Sequence, residues 1–259
     1  MTDIKFLASG TQGAQIFAII SLIGSIIGIY HYGINFEIFL IVLFGYFLYG
    51  CLGIVVTFHR NLTHISYKTH PYITKLFCVL GCLGGTGSPL AWVAIHINHH
   101  LKSDKPGDPH SPLYKGLKIF GLSYEKEVDS STKWKMRHLI TDRYQLFLHR
   151  YYFAILISYS AVLYILGGFF LMIFLHWLPA LITIIMSNIV NYIGHKPNWI
   201  GGYRRYNLRD QSTNNWLWAI PSWGETWHNN HHRYPRSFSC GERWWEIDIS
   251  ALVIRLIKI

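Results

Sequence analysis

Between Arg150 and Lys196 the chain has no Asp, Glu, Lys or Arg except at those two ends. Two further stretches, Phe6 to Phe36 and Ile38 to Phe58, are equally free of charge. A helix needs about 20 apolar residues to cross the hydrocarbon core of a bilayer, and uncharged runs this long are rare inside soluble domains. The longest run holds two spans joined by a tight turn between Gly167 and Trp177. The expected spans are about 12–34, 37–58, 150–170 and 173–194. The apolar stretch 71–95 is expected to lie on or dip into the interface. Its Gly84-Gly85-Thr86-Gly87-Ser88-Pro89 break leaves backbone groups that lipid cannot satisfy. The expected fold is an all-α integral membrane protein with four transmembrane helices and a helical cap made of 59–149 and 195–259. The tail from Ile249 to Ile259 reads as an amphipathic helix in the interface.

The charged residues agree with this map. The formal charge is +10, and all 23 Lys and Arg lie outside the long apolar runs. With four spans, every one of them falls on one side, which the positive-inside rule makes the cytoplasmic side. A basic chain can also mean nucleic acid, but no basic helix interleaved with aromatics is present. The four cysteines (Cys51, Cys78, Cys82 and Cys240) form no CxxC pair, as suits a reducing compartment.

The second constraint is histidine. Nine of the fifteen fall in four places: His59 and His64; His96, His99 and His100; His195; and His228, His231 and His232. Spacings of three and four share a helical face, so each His-x-x-His-His cluster is expected to aim three imidazoles at one point. Imidazole suits Fe, Zn, Cu and Ni, and these clusters exceed what one ion needs. His31, His70, His110, His138, His149 and His176 are taken as ordinary core or surface residues. Asp104, Asp108, Asp210 and Glu225 flank the clusters. Carboxylates there can accept the free N–H of a ligating histidine, and Asp104, Asp108 and Glu225 are the expected partners. Asn214 and Asn215 are read in the same way.

The order HxxxxH, HxxHH, NxxxH, HxxHH resembles the membrane fatty acid desaturases, in particular the acyl-CoA Δ9 (stearoyl-CoA) type. The surrounding residues carry the likeness: Thr57-Phe58-His59-Arg60, Ser103-Asp104, Asp108-Pro109-His110-Ser111-Pro112, Gly224-Glu225-Thr226-Trp227 and Arg243-Trp244-Trp245-Glu246-Ile247-Asp248. The resemblance implies two iron ions on the nine histidines, with Asn191 holding a water on one of them. It implies O2 as co-substrate and a cis double bond placed in a saturated acyl chain. It also implies a substrate tunnel gated by Phe47 and Cys51. No nucleotide, flavin or haem motif is present, so a separate electron donor is expected, a ferredoxin or a b5-type cytochrome. Acyl-CoA is the expected substrate, although Ala94-Ile95 stand where animal acyl-CoA enzymes carry an Arg-Asp pair. The membrane would be the plasma membrane in a bacterium or the endoplasmic reticulum in a eukaryote. Two other readings stay open: a membrane hydroxylase of fatty or alkane chains, and a histidine-rich metal-binding or transport protein. The latter predicts ionisable residues within the spans, where His31 and His176, both near an outer turn, are the only histidines and no Asp, Glu, Lys or Arg stands inside the span ends.

Overall fold

The computed structural model describes residues 5–120 and 128–259, with side chains from Gly13 onward. Residues 121–127 of the expected cap, Lys126 among them, lie outside the described residues.

Helix α1 (Lys5–Tyr32) ends at Gly33, whose φ of +71° reverses the chain. The Asn35 side chain then caps α2 (Phe36–Tyr46) by accepting from Ile38 N–H at 2.8 Å. From Phe47 to Thr63 the helix continues in π form. Its hydrogen bonds run between residues five apart, as in His64 N–H to His59 C=O at 3.2 Å. The hydroxyls of Thr57 and Thr63 also donate five residues back, to Leu52 and Phe58 C=O. The span is therefore longer than expected and carries the first histidine cluster within the helix.

Helices α3 (Pro71–Leu83) and α4 (Pro89–Lys102) follow. The 13 residues of α3 rise only about 20 Å, too short for a bilayer core. This helix crosses the π-helix where Gly53 meets Gly81. A Cβ on Gly53 would stand 2.3 Å from Gly81 N, so Gly53 tolerates no side chain without moving the backbone, and a Cβ on Gly81 would strike the Phe58 ring at 2.5 Å. Tyr152 Oη accepts from Gly87 N–H at 3.1 Å, which satisfies part of the intervening break.

The cap continues through α5 (Pro112–Lys115), a 3-10 turn (Gly116–Phe120), α6 (Ser130–Lys135), α7 (Arg137–Ile140) and α8 (Arg143–Arg150). The third apolar run comprises α9 (Tyr152–Met172), a π-turn (Ile173–Trp177) and α10 (Leu178–Gly194). Gly167 and Gly168 leave helical geometry, with φ of +62° at Gly168. The run folds back there. Ser160 Oγ and His176 Nδ1 lie 3.0 Å apart, whereas 16 residues of straight helix would separate them by about 24 Å.

By length and composition, three helical runs can cross a membrane: Gly13–Tyr32, Phe36–Thr63 and Tyr152–Gly194. Their outward faces are apolar, with Ile19, Ile23, Ile26, Ile27, Ile165 and Leu166 all exposed. Inside, α1, the π-helix, α3, α4, α8 and α9 share one core around Tyr49, Phe58, Leu90 and Leu156. Beyond α10 lie a two-residue hairpin, β1 (Gly202–Tyr203) with β2 (Asn214–Asn215), then α11 (His228–Arg233) and α12 (Ile249–Ile257).

Candidate metal centre

All nine clustered histidines meet where the π-helix, α4, α11 and the end of α10 converge, but in two groups. His59, His64, His96, His100 and His231 form one; His99, His195, His228 and His232 form the other. Within each group the nitrogens lie within 4.8 Å of one another.

The grouping corrects the expectation that each His-x-x-His-His cluster converges on a single point. On an α-helix, residues four apart differ by about 40°, while i+3 and i+4 differ by about 100°. His96 and His100 therefore turn together and His99 turns away. On α11 the same rule pairs His228 with His232 and sends His231 to the five-histidine group. The first cluster needs a different explanation. Five residues of α-helix would put His59 and His64 about 140° apart. The π-helix winds them back over one another, and their rings are 4.9 Å apart.

The ring nitrogens point inward. In the five-histidine group Nε2 atoms approach in sequence: His59 to His231 at 3.1 Å, His231 to His100 at 3.0 Å, His100 to His96 at 3.0 Å, and His96 to His64 at 3.1 Å. In the four-histidine group His228 Nε2 is 3.0 Å from that of His195 and 3.1 Å from that of His232. His99 Nε2 is buried and has no hydrogen-bond partner.

Four carboxylates set the tautomers from behind. Glu225 pairs with His59 Nδ1. Asp108 accepts from His99 Nδ1 at 2.9 Å, Asp104 from His195 Nδ1 at 2.8 Å and Asp210 from His232 Nδ1 at 2.9 Å. A neutral ring with its proton on Nδ1 presents a lone pair at Nε2. At His59, His195 and His232 that lone pair faces a neighbouring ring nitrogen across about 3 Å, an arrangement that a cation between the rings satisfies.

The same spacing indicates the coordination number. Nitrogens about 2.1 Å from a metal are roughly 3.0 Å apart at right angles and roughly 3.4 Å apart in a tetrahedron. The observed spacings match the former. The residues fit metal ions with five or six ligands.

The scaffold around the rings is polar and fully buried. Asn214 Oδ1 accepts from Asn229 N–H and Asn230 N–H, fixing the start of α11. Asn230 Nδ2 reaches Glu246 and the Cys240 carbonyl. Thr213 N–H donates to Gly194 C=O at 2.7 Å, beside His195. A Cβ on Gly194 would lie 2.8 Å from the His228 ring.

Charge follows geometry. Burial pushes His64, His96, His100, His228 and His231 well below the usual imidazole range, and neighbouring rings push them further. His232 falls to about 4, burial outweighing the Asp210 hydrogen bond. Burial alone would raise Asp104, Asp108, Asp210 and Glu225. The histidine facing each, joined by Arg60 at Glu225, holds it below the ordinary carboxylate value instead.

Residues 37–248 match the fatty acid desaturase family. The chain belongs to that family. It is 36% identical to an acyl-CoA C20 Δ5-desaturase of Anemone leveillei, over 82% of this chain and 68% of that protein. It is 33% identical to an sn-1 stearoyl-lipid 9-desaturase of Anabaena variabilis, over 83% of this chain and 78% of that protein. It is 34% identical to Δ9 acyl-lipid desaturase 1 of Arabidopsis thaliana, over 81% of this chain and 69% of that protein. The protein is a membrane fatty acid desaturase, an O2-dependent oxidoreductase, and its histidine clusters are consistent with a metal site of the kind this family carries.

Beside the desaturase's histidines lies a cavity between the π-helix, α4, α10 and the turn 222–225. Tyr46, Gly50, Val55 and His59 line it in one stripe whose spacing alternates four and five, the winding of the π-helix. The π-helix thus presents the cavity wall and a centre histidine on one face. Asn191 lines the cavity near His228. Phe47 and Cys51 stand just behind the wall, packed with Tyr46 and Trp223. Phe47 meets the Trp223 ring edge-on at 5.7 Å.

Four residues at the site are not among the expected ligands or their partners. Asp210, which flanks the clusters in the sequence, is the partner of His232. His110 lines the cavity 5.7 Å from His99 and is lowered to about 3, mainly by burial. Trp92 stacks on His96 at 4.9 Å. Arg60 stood next to a ligand candidate but gave no signal of burial.

Proposed function

We propose that the five- and four-histidine groups each hold one iron, on His59, His64, His96, His100 and His231 and on His99, His195, His228 and His232, with Asn191 holding a water at the second. The single observation that carries this is the convergence of nine rings in two groups, eight of them meeting by Nε2 at about 3 Å and the ninth, His99, with Nε2 buried and unpartnered, which suits five- or six-coordinate iron better than tetrahedral zinc. When bound, two reduced irons supply the O2-derived oxidising power that an unactivated methylene requires. The chain's own part is positional. Asp104, Asp108, Asp210 and Glu225 keep Nδ1 protonated and Nε2 free. The cavity wall holds the acyl chain against the centre and excludes water.

The reaction is the introduction of a cis double bond, at Δ9, into a saturated acyl chain. Two of the three relatives named above are 9-desaturases, and both act on acyl-lipids by name. We favour a membrane lipid over the CoA thioester as the carrier. Ala94 is buried and Ile95 lines the cavity, so neither offers a cation to a CoA phosphate. Family membership leaves the hydroxylase and transport readings without support.

We read four crossings, with the histidines and both ends of the chain in the cytoplasm, a reading that the fold-back at Gly167–Gly168 and the one-sided placement of Lys and Arg support. The electrons come from a separate one-electron carrier, an acidic ferredoxin or b5-type cytochrome, drawn to the basic surface around α11 that includes Arg205, Arg233 and Arg236. Chain length is set by the Tyr46–Gly50–Trp223 wall, with Phe47 and Cys51 acting from behind it. Gas chromatography of acyl chains from a desaturase-free host expressing the protein tests the reaction, with the double bond located by derivatisation. A Δ9 monoene supports it; a Δ5 product or a hydroxylated chain refutes it. Assays with acyl-CoA and with phospholipid separate the carriers.

A further inference from the structure

The side chain of Arg60 points away from its neighbour His59 into a closed pocket of carboxylates, and it is 1% exposed. Its Nη2 donates to Glu225 Oε1 at 2.8 Å and its Nε to the same oxygen at 3.3 Å. Its Nη1 donates to both oxygens of Asp248, at 2.9 and 3.1 Å, and to Phe238 C=O at 2.7 Å. The other oxygen of Glu225 faces His59 Nδ1.

Asp248 is itself fixed. It caps α12 by accepting from Ala251 N–H at 2.9 Å, and it accepts from Cys240 N–H at 2.7 Å and Ser250 Oγ at 2.8 Å. Ser250 Oγ also lies 2.8 Å from Trp223 C=O, so its single proton is shared between the two acceptors. Trp223 and Gly224, with φ of +61° and +99°, form the turn that delivers Glu225. A Cβ at Gly224 would strike Asp248 Oδ1 at 2.5 Å, so the turn and the cap of α12 are pressed together.

We propose that Arg60 is a positioning residue for the five-histidine group: its guanidinium clamps Glu225 against the capped start of α12, and Glu225 thereby holds His59 with Nε2 toward the centre. The proposal rests on the reading that this group binds a metal. A planar fork with donors on two edges bridges two carboxylates in fixed orientation, and an ammonium does not. The asymmetry between the groups adds weight. In the four-histidine group three rings have carboxylates, each held by a backbone N–H or a hydroxyl: Asp104 by Gln211 N–H, Asp108 by His110 N–H and Asp210 by Ser212 N–H. In the five-histidine group Glu225 is, among the described residues, the one carboxylate so placed, and its side chain pairs with Arg60 besides His59.

The test is Co2+ titration of metal-free protein in lipid nanodiscs, followed by calorimetry and visible absorption, on the unaltered chain, Arg60→Lys, Arg60→Gln and Glu225→Gln. His231→Ala and His228→Ala identify which binding event belongs to which group. Two events in the unaltered chain are required by the metal reading; one event or none there defeats that reading and not the role of Arg60. Given two events, Arg60→Lys should weaken the five-histidine event about tenfold and leave the other unchanged, in line with the effect of orienting partners on metal affinity. Glu225→Gln should reproduce the single-site loss. Unchanged affinities, or equal loss at both sites, would overturn the proposal and reduce Arg60 to a buried counter-ion. Should Arg60→Gln not fold, Arg60→Lys keeps the charge and carries the test alone.

Discussion

The two histidine groups look alike as residue counts and differ in how they are held. The five-histidine group draws on the π-helix, α4 and α11 and has, among the described residues, one orienting carboxylate, Glu225. The four-histidine group has one ring fewer but three carboxylates, Asp104, Asp108 and Asp210. One is built by crowding of rings, the other by hydrogen bonds behind the rings. The cavity touches both groups, through His59 and His96 of the five and His228 of the four, and His110 on its lining stands 5.7 Å from His99. Nine imidazoles therefore do not make two equal sites: one has five rings and a single orienting carboxylate among the described residues, the other four rings and three.

The largest expected effect comes from removing a ring. His231→Ala and His228→Ala should each reduce product by at least about a hundredfold, yet each should lower the metal content from two ions to one at its own group. Elemental analysis of both variants checks this, and loss of both ions from either one would merge the groups. The carboxylates come next. Asp210→Asn should weaken binding at the four-histidine group by about ten- to a hundredfold and spare the five-histidine group, as calorimetric titration would register. An effect on both groups would remove the distinction between them.

Smaller still is an effect on selectivity. Gly50 lies under Tyr46 and Trp223, where a Cβ would come within 2.7 Å of the Tyr46 ring. Gly50→Val should shift the preferred acyl chain toward shorter lengths, with each methylene worth about 0.8 kcal/mol, or roughly fourfold. Metal content at both groups should stay at two. Product profiles from mixed saturated chains measure this, and an unchanged profile would move the gate away from the π-helix stripe.

The smallest effect is on pH. His232, ordinarily near 6.5, lies at about 4 in the folded metal-free protein. A depressed value favours the folded state fully above 6.5, and that advantage is lost as pH falls from 6.5 towards 4. Thermal unfolding of metal-free protein should therefore show declining stability across that window. Flat stability across that window would contradict the burial of this ring.

Much of this molecule is legible in its sequence because charge is excluded from lipid. The runs 6–36, 38–58 and 151–194 announce the membrane helices, and Gly167 marks the fold-back. The clusters around His96 and His228 are equally plain. What the sequence does not carry is the winding of the helix from Phe47 to Thr63. A π-helix has the composition of any apolar helix, yet it decides that His59 and His64 share a face. It also decides that Tyr46 and Gly50, rather than Phe47 and Cys51, line the cavity. The division of each His-x-x-His-His cluster follows from simple angles once two targets exist. Arg60 was hidden for a different reason: an arginine at the end of a span ordinarily reaches for water, and only the fold brings Asp248 to it from 188 residues away.

The most direct measurement is anomalous diffraction at the iron edge from crystals of iron-loaded protein. The account predicts two peaks, one bounded by His59, His64, His96, His100 and His231 and the other by His99, His195, His228 and His232. A single peak, or a peak shared by His96, His99 and His100 together, would contradict it.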